Sequence, residues 1–327
     1  MAIVGSELVY YASAVVNDTS SNGGKISENE VVSGGSNTWW PNVPEATLTT
    51  GATQWRKGFV RVDNAANETA TTLRVGLWRP TAGEDSLYLA KGTQTNIQSG
   101  FGSPALYGVG ALDDSVLTGA NSIDVLVEDG AVIIFRDGES IRISNETSLG
   151  TGGTAEIHTI SGTPSVLGDV VTITLAGTLA NDYSDTNTYV SSLIEETGVA
   201  GATTGKSVTS AAGTFSEAYM VVGNLGSIYQ TVTFTFTSAT AFNVTSDAGI
   251  TLAGGTRDTT YAPTNVGKGA AYFSVPATCW GGTFATGNTV VITTIPPSVP
   301  ILEKRIVPAG CTAFGSQSRG LMFFVES

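Results

Sequence analysis

The apolar residues of this chain fall in short runs that alternate with polar residues and are bounded by turn residues. Val60 and Val62, then Leu73, Val75 and Leu77, recur at every second position, the period of a sheet with one buried face. The pattern predicts strands over residues 7–16, 58–63, 72–79 and 86–91, grouped in an N-terminal β-domain over residues 1–110. Stretches 17–24 and 63–71 are polar and turn-rich, and Pro41 after Trp39 and Trp40 stops any strand there.

Residues 123–144 hold three apolar runs, 123–127, 132–135 and 140–143, separated by Asp129-Gly130 and Asp137-Gly138. Asp-Gly supplies the positive φ that tight hairpins need, so a three-stranded meander is expected. A glycine-then-strand pattern at 138–144 returns at 168–174 and 287–293, without the fixed period of a solenoid. Further strands are expected at 156–160, 170–175, 230–237 and 290–294. In 230–237 threonine alternates with apolar residues, as in a sheet with one solvated face. Residues 185–196 form the helix candidate, 296–300 an extended crossover, and 321–325 a buried closing strand. The fold class expected is all-β: two or three β-sandwich-like domains with long loops and little helix. The boundaries expected are 1–110, a β-rich middle region over 111–200, and a C-terminal β-domain over 201–327.

Composition narrows the function classes. The chain has 327 residues and a net charge of −13, and an acidic surface repels a phosphate backbone, which argues against nucleic acid. The densest basic stretch, from Trp55 to Arg61, reads as a solvated strand face. No apolar run approaches the roughly 18–20 residues of a membrane span. The first residues lack the basic and apolar regions of a secretory signal, so the glycosylation-type sites at Asn17, Asn67, Asn145 and Asn243 carry no weight. Cys279 and Cys311 either form one bridge or stay free, and synthesis in a reducing cytoplasm favours free thiols.

Candidate chemistry is thin. Ala200 to Ser207, with Lys206, has the loosest form of a phosphate loop, but no buried strand leads into it. Asp18, Ser20, Asn22 and Gly23 match the start of a calcium loop, but Asn29 stands at position twelve, so the segment reads as a polar turn. His158 is the one histidine, too few for a His/Cys metal set, and reads as a sheet-surface residue. The doublets Glu84-Asp85, Asp113-Asp114 and Glu195-Glu196 read as solvated turns. Trp39, Trp40, Trp55, Trp78 and Trp280 could line a sugar platform, but aromatic core or subunit contact fits them better, with Trp39, Trp40 and Trp280 the candidates for subunit contact. No catalytic, cofactor-binding or metal-binding residue is assigned.

The segment Gly5-Ser6-Glu7-Leu8-Val9-Tyr10-Tyr11-Ala12-Ser13, continuing to Gly24, resembles the opening of a family of virion structural proteins from tailed bacteriophages. Phe135-Arg136-Asp137-Gly138-Glu139-Ser140-Ile141-Arg142-Ile143 is similar too, as are Phe236 to Val244, Tyr261 to Asn265 and Arg305 to Gly310. The resemblance implies a non-enzymatic particle component, made in the host cytoplasm and carried in the virion, placed at the neck as a collar or along a contractile tail. It implies a homo-oligomer, a trimer or ring, contacting other neck or tail proteins. The alternative is a receptor- or glycan-binding tail, baseplate or capsid decoration protein. A depolymerase lacks its long β-helix repeat here.

Overall fold

The computed structural model describes residues 2–34, 39–312 and 320–326. The chain opens with β1 (Leu8–Val15), β2 (Gly23–Glu30), a six-residue helix α1 (Glu45–Thr50), β3 (Ala52–Val62), β4 (Ala70–Leu77) and β5 (Ser86–Lys91). β1 runs antiparallel to β3, from Leu8 opposite Val62 to Ala12 opposite Gly58. On its other side β1 pairs with β2 through two register shifts. β2 is an edge strand rich in Lys25, Glu28 and Glu30, charges that discourage pairing with foreign strands. Its polarity hid it from the sequence pattern.

The chain then builds a middle unit: β6 (Val109–Leu112), β7 (Ser122–Leu126), β8 (Ser140–Ser144), β9 (Ala155–Thr159), β10 (Ser165–Leu167), β11 (Val170–Thr174) and β12 (Tyr189–Ser192). The sheet order is β10-β11-β7-β6-β12-β8-β9. A bridge between Ile160 and Leu175 ties the end of β9 to the end of β11. The sheet therefore rolls into a small barrel around Ile123, Val125, Ile141, Ile143, Ile173 and Val190, with β10 left outside the closure.

The expected meander does not form. β7 and β8 are not neighbours, and residues 132–135 lie in no ladder. The cause is local: the Val127 and Gly130 N–H groups donate to Asp169, and an ideal Cβ on Gly130 would lie 1.9 Å from the Gly168 carbonyl oxygen. The chain turns against the β10–β11 hairpin instead of folding back on itself. Ile134 and Phe135 enter the core from this irregular segment.

The expected helix at 185–196 is β12 followed by β13 (Ile194–Val199). Tyr189, Val190 and Ile194 favour extended backbone, and Val190 and Ile194 are buried in two different cores, which a helix could not achieve. β13 pairs with β4, from Ile194 opposite Val75 to Val199 opposite Ala70.

A third unit follows: β14 (Ala202–Thr209), β15 (Ala212–Phe215), β16 (Gln230–Phe236), β17 (Ala241–Ser246), β18 (Gly255–Thr256), β19 (Thr264–Asn265), β20 (Ala270–Ala271), β21 (Trp280–Thr283) and β22 (Thr289–Ile295). The main sheet has the order β14-β22-β16-β17-β18, with β15–β21 and β19–β20 as small ladders. Threonines of β16 alternate outward as the sequence suggests, and Val232, Phe234 and Phe236 point into an aromatic core. Phe236 stacks on Phe284 at 4.1 Å between centroids, and Trp280 lies 5.4 Å from Phe234.

The last strands, β23 (Ser298–Val307) and β24 (Leu321–Glu326), return to the N-terminal unit. β23 inserts between β3 and β5, pairing with β3 over ten positions from Ser298 opposite Arg61 to Val307 opposite Ala52. Residues 296–300, expected as a crossover, thus run into a central strand. Pro300 is tolerated because its missing N–H faces the β5 side, where pairing starts only at Ile301 opposite Lys91. β24 pairs with β4.

The hub is therefore a five-stranded sheet, β2-β1-β3-β23-β5, facing a three-stranded sheet, β13-β4-β24, around Val60, Val62, Val75, Leu89, Ile194 and Ile301. The contiguous domains 1–110, 111–200 and 201–327 do not match this pairing: the hub is assembled from three separated pieces of chain, with the barrel and the C-terminal sandwich inserted between them. Tyr88 and Ile306 of the hub pack into the barrel core. The apolar core of the C-terminal sandwich contains no hub residue.

Candidate functional site

The hub holds a charged centre. The carboxylate of Glu303 on β23 is buried and accepts hydrogen bonds from Tyr10 Oη at 2.8 Å, Trp39 Nε1 at 2.8 Å and Trp40 Nε1 at 3.2 Å. Two guanidinium groups, of Arg56 and Arg305, each lie over the Trp40 ring at 4.7 Å from its centroid. Arg56 also donates to the Trp39 carbonyl at 3.1 Å and to Asp18 Oδ1 at 2.6 Å. Trp39 and Trp40, expected at a subunit contact, are instead buried within the hub, where cation–π contact and a shared carboxylate fix their loop. Trp280 is likewise not a surface contact: it is buried in the aromatic core, 4.7 Å from Phe215.

The calcium-like turn is absorbed by the same network. Asp18 is ion-paired with Arg56, and the buried Asn22 amide donates to the Trp55 carbonyl at 3.0 Å and Gln98 Oε1 at 3.2 Å. On the opposite face of β3, the fully buried Lys57 ammonium donates to the carbonyls of Gly24 at 2.7 Å and Asn96 at 2.9 Å. Burial pulls its pKa down to about 7. Lys57 thus ties the start of β2 to the loop after β5 from this face.

A polar joint fastens the C-terminal sandwich to the hub. Arg61 donates to the carbonyls of Asn224 at 2.6 Å and Leu225 at 2.9 Å, and its Nε lies 2.7 Å from Asp63 Oδ1. Asp63 Oδ2 accepts from Tyr11 Oη at 2.6 Å and from Lys268 Nζ at 3.2 Å. Burial raises the Tyr11 pKa, and the Asp63 carboxylate pushes in the same direction. Lys25 and Asp247 add a more exposed ion pair at 2.6 Å.

The remaining candidates are also built into the scaffold. Lys206 lies on strand β14, not on a phosphate-binding turn, 3.8 Å from Glu217. The His158 side chain, expected at the sheet surface, is only 12 % exposed and lies 2.9 Å from Glu156 Oε2. Burial opposes ionisation of Glu156, but hydrogen bonds from Ala180 N–H, Asn181, His158 and Tyr183 outweigh it and hold the pKa to about 2. Glu195 and Glu196, expected in a solvated turn, pair with Arg74 and Lys91, each at 2.8 Å, along β13. Cys279 is buried in the C-terminal aromatic core, which pushes its thiol up to about 11, and Cys311 stands half-buried beyond the end of β23. Both thiols are free and belong to separate units, so the bridge alternative has no geometry here. Among the described residues no group of three or more His, Cys, Asp or Glu side chains is arranged to hold a metal ion.

One surface was missed by the sequence reading. The segment 130–137 and the β10–β11 hairpin enclose a groove of about 350 Å³ on the barrel, walled by Val132, Ile134, Phe135, Val166 and Val171. Two signals for it were available in the sequence: the apolar run 132–135, and the charge of residues 104–193, where twelve Asp and Glu stand against two Arg. That net charge of −10 is most of the −13 of the chain.

In comparisons with protein families, curated proteins and solved structures, the chain matches none of them.

Proposed function

We propose that this chain is a non-enzymatic structural component of a tailed-phage particle, self-assembling at the neck or along the tail. The sequence resemblance supplies the particle; the observation that carries the mechanical reading is the charged centre around Glu303. There, Tyr10, Trp39 and Trp40 donate to one buried carboxylate and two guanidinium groups stack on Trp40, which pins Trp39 and Trp40 to the hub. Buried ionic networks of this kind favour one rigid arrangement over alternatives, which suits a part that must present fixed surfaces to neighbours. The glycan-platform alternative loses Trp39, Trp40 and Trp280, because their rings face inward.

Light scattering of the purified full chain, in reducing and non-reducing buffer, tests the assembly. A trimer or ring of equal mass in both buffers is expected. A monomer at micromolar concentration, together with absence of the chain from purified particles by mass spectrometry, would sink the reading.

A further inference from the structure

We infer that the barrel groove between segment 130–137 and β10 is a docking site for an extended, basic-flanked strand of a different protein.

Three observations converge there. First, residues 132–135 have the composition of a strand yet lie in no ladder, so a strand-forming segment stands without its partner. Second, β10 across the groove is an edge strand, paired on one side only, to β11. Its Val166, on the groove wall, is 51 % exposed, and Ile133 on the facing wall is 64 % exposed. Apolar side chains at an open edge are the features native proteins ordinarily suppress, and an extended guest satisfies both the backbone groups and the apolar pockets. Third, the groove ends are acidic. Asp129, Asp137 and Asp169 are exposed, and each directs a carboxylate oxygen to a turn N–H, of Ala131, Gly162 and Gly130 respectively. Held by these turns, they form a fixed negative rim around an apolar channel.

Charge selects the occupant. A second copy would bring another −13, and at least nine of its fifteen Lys and Arg are already ion-paired within the chain. Arg136 at the groove is one of these, held by Glu139 and by the carbonyls of Leu106 and Ile133. A guest with alternating apolar residues and lysine or arginine at its ends complements both the channel and its rim.

A random library of peptides about 12 residues long, panned on the immobilised full chain, tests the assignment. Enriched peptides should alternate apolar residues and carry net positive charge. Their affinity should fall about tenfold in Val166→Ser, which removes an apolar groove wall at a half-exposed position without changing charge, with circular dichroism unchanged. Asp129→Asn with Asp169→Asn keeps the turn acceptors and should weaken binding and flatten its salt dependence between about 50 mM and about 300 mM. Enrichment without basic bias, equal binding to Val166→Ser, or no enrichment at all would overturn the proposal. So would light scattering in which Val166→Ser alone dissolves a self-associated wild type, which would give the groove to a second copy. An oligomer that Val166→Ser leaves intact keeps the docking and self-assembly surfaces separate.

Discussion

At the scale of single residues, buried charge decides more here than buried carbon. Removing the Glu303 carboxylate leaves Tyr10, Trp39 and Trp40 without their acceptor in a dry site. Breaking a buried ionic network from one side costs about 3–5 kcal/mol, so Glu303→Ala should lower stability by that amount in urea melts. Glu303→Gln, which keeps an acceptor oxygen, should cost less, and tryptophan emission should shift to the red in the alanine variant first. Lys57 works in the other direction. Its pKa of about 7 in the fold lies below the ordinary value of 10.5, so the unfolded chain binds more protons between those pH values. Stability contributed through this group therefore rises with pH across that window, and the penalty is complete below about pH 7. Wild type should gain about 3 kcal/mol from this lysine between pH 7 and about 9.5. Lys57→Met should remove that slope, while leaving the Gly24 and Asn96 carbonyls short of a donor at every pH. Urea midpoints of both proteins at the two pH values check the difference.

Among the elements, alternation was legible and polarity was not. β5, β11, β16 and β22 read directly from the sequence because one face is buried and side chains repeat at every second position. β2 and β14 did not, because edge strands with both faces solvated carry no such signal. The meander over 123–144 failed for a reason outside its own residues: Gly130 is pressed on the carbonyl of Gly168 from a distant hairpin. Gly130→Ala should consequently lose about 1–3 kcal/mol, by the cost of overpacking against rigid backbone. The comparison is Gly150→Ala, a turn glycine with open space around it, where the cost should be the smaller one of its φ of 79°. Thermal melts of the two variants separate clash from conformational preference. The candidate residues show the same limit. That the tryptophan pair faces inward, and that Glu156 is held in place beside His158, depends on partners 25 to 264 positions away, as for Glu156 with Asn181 and Trp39 with Glu303, and composition cannot report such pairs.

For the whole molecule, the two insertions are attached differently. The barrel shares apolar core with Tyr88 and Ile306 of the hub, whereas the C-terminal sandwich meets it through Arg61, Asp63, Lys268 and backbone carbonyls. A unit with its own aromatic core and a polar boundary has what it needs to fold alone. The fragment 200–297 should show near-ultraviolet circular dichroism from its packed rings and a cooperative melt. The fragment 1–110 should show neither, because it lacks β13, β23 and β24. A disordered 200–297 would mean that the joint, not the aromatic core, holds that sandwich together. The segmented hub could not be read from the sequence, since strands β3 and β23 are paired across some 240 positions, from Arg61 to Ser298.

On the ribosome, that segmentation imposes an order. β3 and β5 emerge about 200 residues before β23, the strand that belongs between them. The barrel and the C-terminal sandwich are contiguous and can condense as they appear, while the hub waits with two strand edges unpaired. A chain released early keeps two well-formed insertions on an open sheet, the state most exposed to proteases and to mispairing. Where many copies are made side by side, the waiting gap also accepts β23 from a neighbour, so strand-exchanged dimers are the misassembly this topology invites.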